Sequence, residues 1–239
     1  MKFHGSKGSA VIADASTGIG AVYAHRLAMR GYHLVLAAPE TERLYGFARW
    51  ITAQTSIGVE TIALDTGDPA GLAKLEARVV HDPGITLVVN NLCAAVPGLG
   101  GLGPVESLVA LSGAAPARLA RAAALAFAAR RNGALVNIHS GAAGVDRPTG
   151  PGRAFLEGLS LTLESEFRGT GLQVQAVLPR GAAGSLWDAA GAPVEHLPRE
   201  MILIVEAMVD DALAGLDSGE VVATLTGAPV RRRSATSAV

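Results

Sequence analysis

Cysteine is nearly absent: Cys93 stands alone in 239 residues. That excludes an internal disulfide and a cysteine-rich zinc site. Six histidines are scattered without the spacing of metal ligands, so no metal is expected. Lysine occurs only at positions 2, 7 and 74, and tyrosine only at 23, 32 and 45. Aromatic residues make up 4% of the chain, so Ala, Val, Leu and Gly must form most of the core. Charge is scarce as well, at 17%, and nets to −1, which leaves no basic footprint for nucleic acid and no charge reason to sit on a membrane. Residues 1–8 are polar and too short to hold an apolar export core. An uncharged stretch, 83–105, has the length of a membrane span. Gly, Pro and paired Asn interrupt it, and it reads as a buried strand plus loop. The default expectation is a cytoplasmic protein.

What is present is a 49% hydrophobic chain in which short β-rich runs alternate with helical stretches. Strands are expected at 9–13, 33–38, 60–64, 85–90, 134–139, 172–178 and 220–224. Helices are expected at 18–30, 41–55, 69–80, 106–131, 153–168 and 198–214, with Pro116 bending or restarting the fourth. Uninterrupted apolar strands between amphipathic helices imply a parallel sheet covered on both faces. Right-handed crossovers then give one doubly wound α/β domain of about seven strands over 1–227, followed by a basic, small-residue tail at 228–239 expected to be disordered. Ligands of such sheets bind at the carboxyl ends of the strands, so the residues just after each strand carry the information.

After the first strand comes Asp14-Ala15-Ser16-Thr17-Gly18-Ile19-Gly20, a glycine-bearing turn opening a helix. Such a turn suits phosphate, because amides converge at the positive end of the helix dipole. Here the sequence resembles the short-chain dehydrogenase/reductase family, whose opening motif is T-G-x-x-x-G-x-G. Residues 88–93 (VVNNLC) are similar to its V-N-N-A-G. Residues 133–140 (GALVNIHS) are similar to the strand carrying its catalytic serine, and 153–171 to the helix after its catalytic tyrosine. The resemblance covers the strand ends in order and implies a Rossmann-like fold. It also implies an NAD or NADP site at Asp14, Ser16, Thr17, Gly18, Ile19, Gly20, Asp65 and Asn90, and a catalytic set at Ser140, Thr149 and Arg153.

The departures from the family pattern fall on that site. Asp14 stands at the first motif glycine and brings a carboxylate to where a diphosphate would lie. Ala38-Pro39 supplies neither the acid expected for NAD nor the base expected for NADP. Thr149 falls on the family's tyrosine and Arg153 on its lysine, and no tyrosine follows Tyr45 to replace the lost phenol. The family's helical asparagine falls on Ser112, and the two residues after the paired Asn, Leu92 and Cys93, are larger than the family's Ala-Gly.

Individual residues keep two readings each. Ser140 either bonds a ligand oxygen or caps the loop after the fifth strand. Asp14 is a structural turn residue or a new general base. His139 is expected to be a structural residue rather than half of a Ser-His pair, because adjacent strand residues face opposite ways. Asp65 and Asn90 are expected to hold the turn and the adjacent strands. Arg153 and Arg180 either bind an anionic ligand or pair with nearby acids, and Leu186 and Trp187 either cover the substrate or pack in the core.

Three functions follow from the resemblance and its departures. The first is a chain that has lost NAD(P)-dependent hydride transfer, binds cofactor weakly or not at all, and uses its cleft for an isomerisation- or cyclisation-type reaction or for binding an apolar small molecule. The second is an NAD(P)-dependent oxidoreductase acting on a carbonyl or alcohol. The third is a non-catalytic partner or scaffold subunit. The small, apolar faces of 115–131 and 153–168 resemble the family's twofold interface and imply a homodimer or homotetramer.

Overall fold

The structure is a computed structural model describing residues 7–15, 18–39, 41–65, 68–92, 113–139, 151–179 and 199–225. Seven strands form one sheet: β1 (Ser9–Ala13), β2 (His33–Ala38), β3 (Val59–Ala63), β4 (Ile85–Asn90), β5 (Gly133–Ile138), β6 (Leu172–Pro179) and β7 (Val222–Leu225). Their order is β3-β2-β1-β4-β5-β6-β7, and every pairing is parallel. Among the described residues, six helices connect them: α1 (Gly18–Met29), α2 (Thr41–Thr55), α3 (Pro69–His81), α4 (Ala115–Arg130), α5 (Pro151–Glu166) and α6 (Arg199–Asp217).

The strands read as continuous apolar runs because both faces are covered. Ile12, Leu36, Val89 and Ile138 pack with α1, α2 and α6 on one side. Val11, Val35, Val88 and Leu135 pack with α3, α4 and α5 on the other. Alanines 120, 123 and 124 bring α4 close to the sheet without bulky side chains, as the shortage of aromatics predicts. On the first side Arg26 bridges α1 to α6 through Asp210 at 2.8 Å and Glu206 at 3.2 Å. On the second, Asp68 caps α3 by accepting from the Ala70 and Gly71 amides. At the far end of that helix the Arg130 guanidinium donates to the carbonyls of Val79, Val80 and Ile85, a cation placed at the negative end of the helix.

Most expected elements appear within one or two residues. The differences have local causes. The helix expected over 106–131 is described from 115, after a π turn at residues 113–114. Pro116 therefore stands in the first turn of the described helix, where its missing N–H costs nothing. The helix expected at 153–168 runs Pro151–Glu166, again with proline at its start, and α6 continues three residues past 214 to Asp217. The last strand is Val222–Leu225 rather than 220–224, fixed by its pairing with Ala176 to Pro179. The stretch 106–112 and the tail at 228–239 lie outside the described residues.

One polar row crosses this apolar sheet. Asn90 in β4 lies opposite Asn137 in β5. Asn90 Nδ2 donates to the Pro116 carbonyl and to Asn137 Oδ1, both at 2.9 Å. Asn137 Nδ2 donates to Ser160 Oγ at 2.9 Å, and that hydroxyl donates to the Leu156 carbonyl at 2.8 Å. All three side chains are at most 1% exposed. The chain of bonds ties β4 and β5 to the first turn of α4 and the middle of α5. In a dry interior, a broken link leaves its neighbours without water to replace it. Asn137→Leu should therefore lower unfolding stability by about 2–4 kcal/mol, since it takes one acceptor from the Asn90 amide and the one donor to the Ser160 oxygen; a urea titration checks the value, and a loss under about 1 kcal/mol would show the row to be energetically idle.

Candidate functional site

β1 pairs with β2 on one side and β4 on the other, so the connections leave the sheet in opposite directions and open a crevice between the carboxyl ends of β1 and β4. The residues that matter stand at its floor. Asp14 follows β1 with φ 59°. This left-handed conformation is the one a glycine adopts freely, and among other residues Asn and Asp tolerate it best. The turn thus has a backbone suited to glycine and the side chain of an acid. Asp14 is half-buried.

Its backbone is held from three directions. The next amide, Ala15 N–H, donates to the Ala37 carbonyl at 3.1 Å and joins the ends of β1 and β2. Asn91 Nδ2, just past β4, donates to the Asp14 carbonyl at 3.3 Å. The first turn of α1 presses on that same oxygen through Gly20, where any Cβ would collide with it. Gly18, Ile19 and Gly20 are all buried at the start of α1.

Asn91 is 6% exposed, and its Oδ1 accepts no hydrogen bond among the described residues. The orientation of its amide is set, because only the nitrogen can donate to a carbonyl. Asn90 Oδ1 is likewise buried without a donor among the described residues. At the end of β2, Ala38 is fully buried and Pro39 exposed, and neither presents a charge or a side-chain donor. Asp65 is exposed after β3, and its carbonyl accepts from the Asp68 amide at 3.0 Å in the turn leading to α3.

The structure therefore brings Asp14, Gly18, Ile19, Gly20 and Asn90 together at one crevice, with Asp65 at the β3 end of the same sheet edge. Arg153 occupies the third position of α5, in its first turn. Ser16, Thr17, Ser140 and Thr149 lie outside the described residues, as do Cys93, Ser112, Arg180, Leu186 and Trp187. His139 is half-buried, and its amide donates to the Val177 carbonyl at 3.1 Å, extending the β5–β6 ladder. Asn90 has the strand-tying role expected of it. Asn91, Asn137 and Ser160 were not singled out by the sequence reading. A polar residue inside an apolar run, as at Asn137, is the signal that could have found the row.

The three tyrosines all sit at the other end of the chain's path. Tyr23 is wholly buried in α1, and burial holds its phenol well above the usual range. Tyr32 precedes β2, and Tyr45 is exposed on α2. Among the described residues, no group of three or more His, Cys, Asp or Glu side chains is arranged to hold a metal ion, and no helix is long and apolar enough to cross a membrane.

The short chain dehydrogenase family profile matches residues 9–192. The chain belongs to this family. Its sheet is closely similar to a short-chain dehydrogenase from Sphingobium yanoikuyae solved in complex with NADPH, with 35% identity, coverage of 91% of this chain and 87% of that one, and a TM-score of 0.75. The very-long-chain 3-oxoacyl-CoA reductase of Anas platyrhynchos is 28% identical over 71% of this chain and 58% of its own length. The inactive hydroxysteroid dehydrogenase-like protein 1 of Rattus norvegicus is 25% identical over 79% of this chain and 60% of its own. The chain thus spans about three fifths of the length of these curated relatives.

The close approach of α1 to the Asp14 carbonyl has a direct consequence. Gly20→Ala should either lower stability by about 2 kcal/mol or more or displace the turn, while Ala21→Ser one residue on should do neither; thermal melting of the two variants side by side checks it.

Proposed function

We propose that this member of the family has lost the standard NAD(P)-dependent hydride transfer and uses its cleft for binding an apolar small molecule or for a non-redox reaction of isomerisation or cyclisation type. The observation that carries the reading is the missing phenol. The family's tyrosine gives or takes the proton, and the lysine lowers its pKa. Here no tyrosine follows Tyr45 and no lysine follows Lys74. Thr149 cannot stand in. An aliphatic hydroxyl holds its proton far more tightly than a phenol, whose pKa is about 10, and is no acid at neutral pH. Arg153 supplies charge but no exchangeable proton, since guanidinium does not deprotonate in proteins. Ser140 remains able to donate a hydrogen bond to a ligand oxygen.

The cofactor side supports the same reading. The residues present do not fit a dinucleotide. A carboxylate at Asp14 and a diphosphate charge ~4 Å away repel by about 4 kcal/mol at an effective dielectric of about 20, close to a thousandfold in affinity. Ala38 and Pro39 offer nothing to the adenosine ribose or its phosphate. One relative of this chain is itself described as inactive. The competing reading, a working NAD(P)-dependent oxidoreductase on a carbonyl or alcohol, draws on the NADPH-bound neighbour at 35% identity and on the glycine-like backbone at Asp14.

Fluorescence titration with NADPH and NADH separates the two. No saturation below about 1 mM is expected; micromolar binding of either, followed by its oxidation on adding a ketone, would establish the competing reading. The combined variant Asp14→Gly, Pro39→Arg, Thr149→Tyr and Arg153→Lys should regain NADPH binding.

The chain is further proposed to assemble as a homodimer or homotetramer through α4 and α5. Leu125, Phe155 and Leu161 on these helices are 45%, 42% and 45% exposed, unusual for large apolar side chains. Light scattering should give a multiple of the 24.3 kDa chain mass, reduced to one chain by Leu125→Glu with Phe155→Glu. A wild-type chain already monomeric at micromolar concentration contradicts the assembly and leaves room for the scaffold reading only with an unlike partner.

A further inference from the structure

We propose that Asn132–Gly133, between α4 and β5, is a self-modifying peptide at which the folded protein converts to an isoaspartyl form with a main chain one methylene longer. The chain has four asparagines, at 90, 91, 132 and 137. Asn90, Asn91 and Asn137 are buried, their amide nitrogens are held in hydrogen bonds, and Asn, Leu and Ile follow them. Asn132 differs on every count. It is exposed, its side chain has no hydrogen-bond partner among the described residues, and a glycine follows it.

The chemistry is intramolecular and needs only water. The Gly133 backbone nitrogen gives its proton to solvent base and attacks Cγ of Asn132. A C–N bond forms, the bond from Cγ to the side-chain nitrogen breaks, and that nitrogen takes a proton from water and leaves as ammonia. The product is a cyclic succinimide, which water reopens. Cleavage at the side-chain carbonyl leaves aspartate on an ordinary main chain. Cleavage at the main-chain carbonyl leaves isoaspartate, with the chain running through Cβ and Cγ. Attacker and target are tethered in one chain, so no entropy is lost in bringing them together. Glycine has no Cβ to shield the nitrogen.

The fold retains the reactive pair and destabilises its product. Gly133 opens β5 with φ 152°, and any Cβ on it would collide with the Phe127 ring, so a bulkier, protecting residue has no place there. On the other side Arg131 closes α4 in the left-handed conformation (φ 55°), and the Asn132 amide donates to the Phe127 carbonyl at 3.1 Å. The Arg131 carbonyl lies so close to Gly171 that a Cβ on that glycine would not fit. An added methylene therefore enters between two tight contacts, at the point where β5 begins to pair with β6.

The test ages the full chain in warm, mildly alkaline buffer beside a synthetic peptide of residues 128–137, followed by peptide mapping against an unaged sample. The fragment holding Asn132 should gain one mass unit and split into two products, isoaspartate the larger. Conversion there should be at least about tenfold faster than at Asn90, Asn91 or Asn137. Asn132→Gln should convert far more slowly, since its longer side chain must close a larger ring. The aged protein should melt below the fresh one. Asn132→Asp, which brings the new charge on an unaltered main chain, should melt with the fresh wild type. Four results would each overturn the inference: a folded chain still unconverted when the free peptide has reacted through, equal conversion at all four asparagines, an aged protein that melts with the fresh one, or a melting loss reproduced by Asn132→Asp.

Discussion

The carbonyl of Asp14 is the point on which the site depends. It receives the Asn91 amide from β4, bears the first turn of α1 through Gly20, and sits one peptide before the amide that joins β1 to β2. Two elements converge on one oxygen, and the next peptide carries a third tie to β2. The crevice at the centre of the sheet has little freedom as a result: moving the turn means breaking the Asn91 bond and lifting α1 from a contact with no space for a methyl group. Substitution at position 14 could therefore change the chemistry of the crevice without changing its shape, provided the new residue accepted a positive φ. Aspartate does.

The second support is the amide row. Asn90 and Asn137 lie in the same parallel register, and Ser160 completes the chain on α5. This row joins two strands and two helices that lie far apart in the chain. A polar network buried in an apolar sheet is costly to lose piecemeal, because each deletion strands its neighbours. Surface positions such as Pro39 and the loop residues carry no such penalty. The groups that hold the sheet together are thus present as one connected set.

Much of this was legible in the sequence. Alternating apolar runs and glycine-marked turns fixed the number and order of the elements, because a parallel sheet buried on both faces requires near-continuous Val, Ile, Leu and Ala. One misplaced boundary occurred where proline starts a helix, at Pro151, since proline reads as a break but is tolerated in a first turn. The crevice residues at Asp14, Gly18, Gly20 and Asn90 were legible through the family pattern. Asn91 and the row through Asn137 to Ser160 were not, since their meaning lies in contacts across strands and helices far apart in the chain. The positive φ at Asp14 was also out of reach, because an acid at a turn has several conformations open to it and only the packing of α1 selects one.

That conformation bears on what a substitution at residue 14 can change. Aspartate and glycine codons differ by a single base, and the peptide geometry at residue 14 already matches what the smaller residue adopts without strain. A glycine at this spot is therefore one mutational step away, and the turn is already shaped to receive it. A laboratory lineage could therefore exchange the side chain at residue 14 in one step and leave the three contacts around the turn in place.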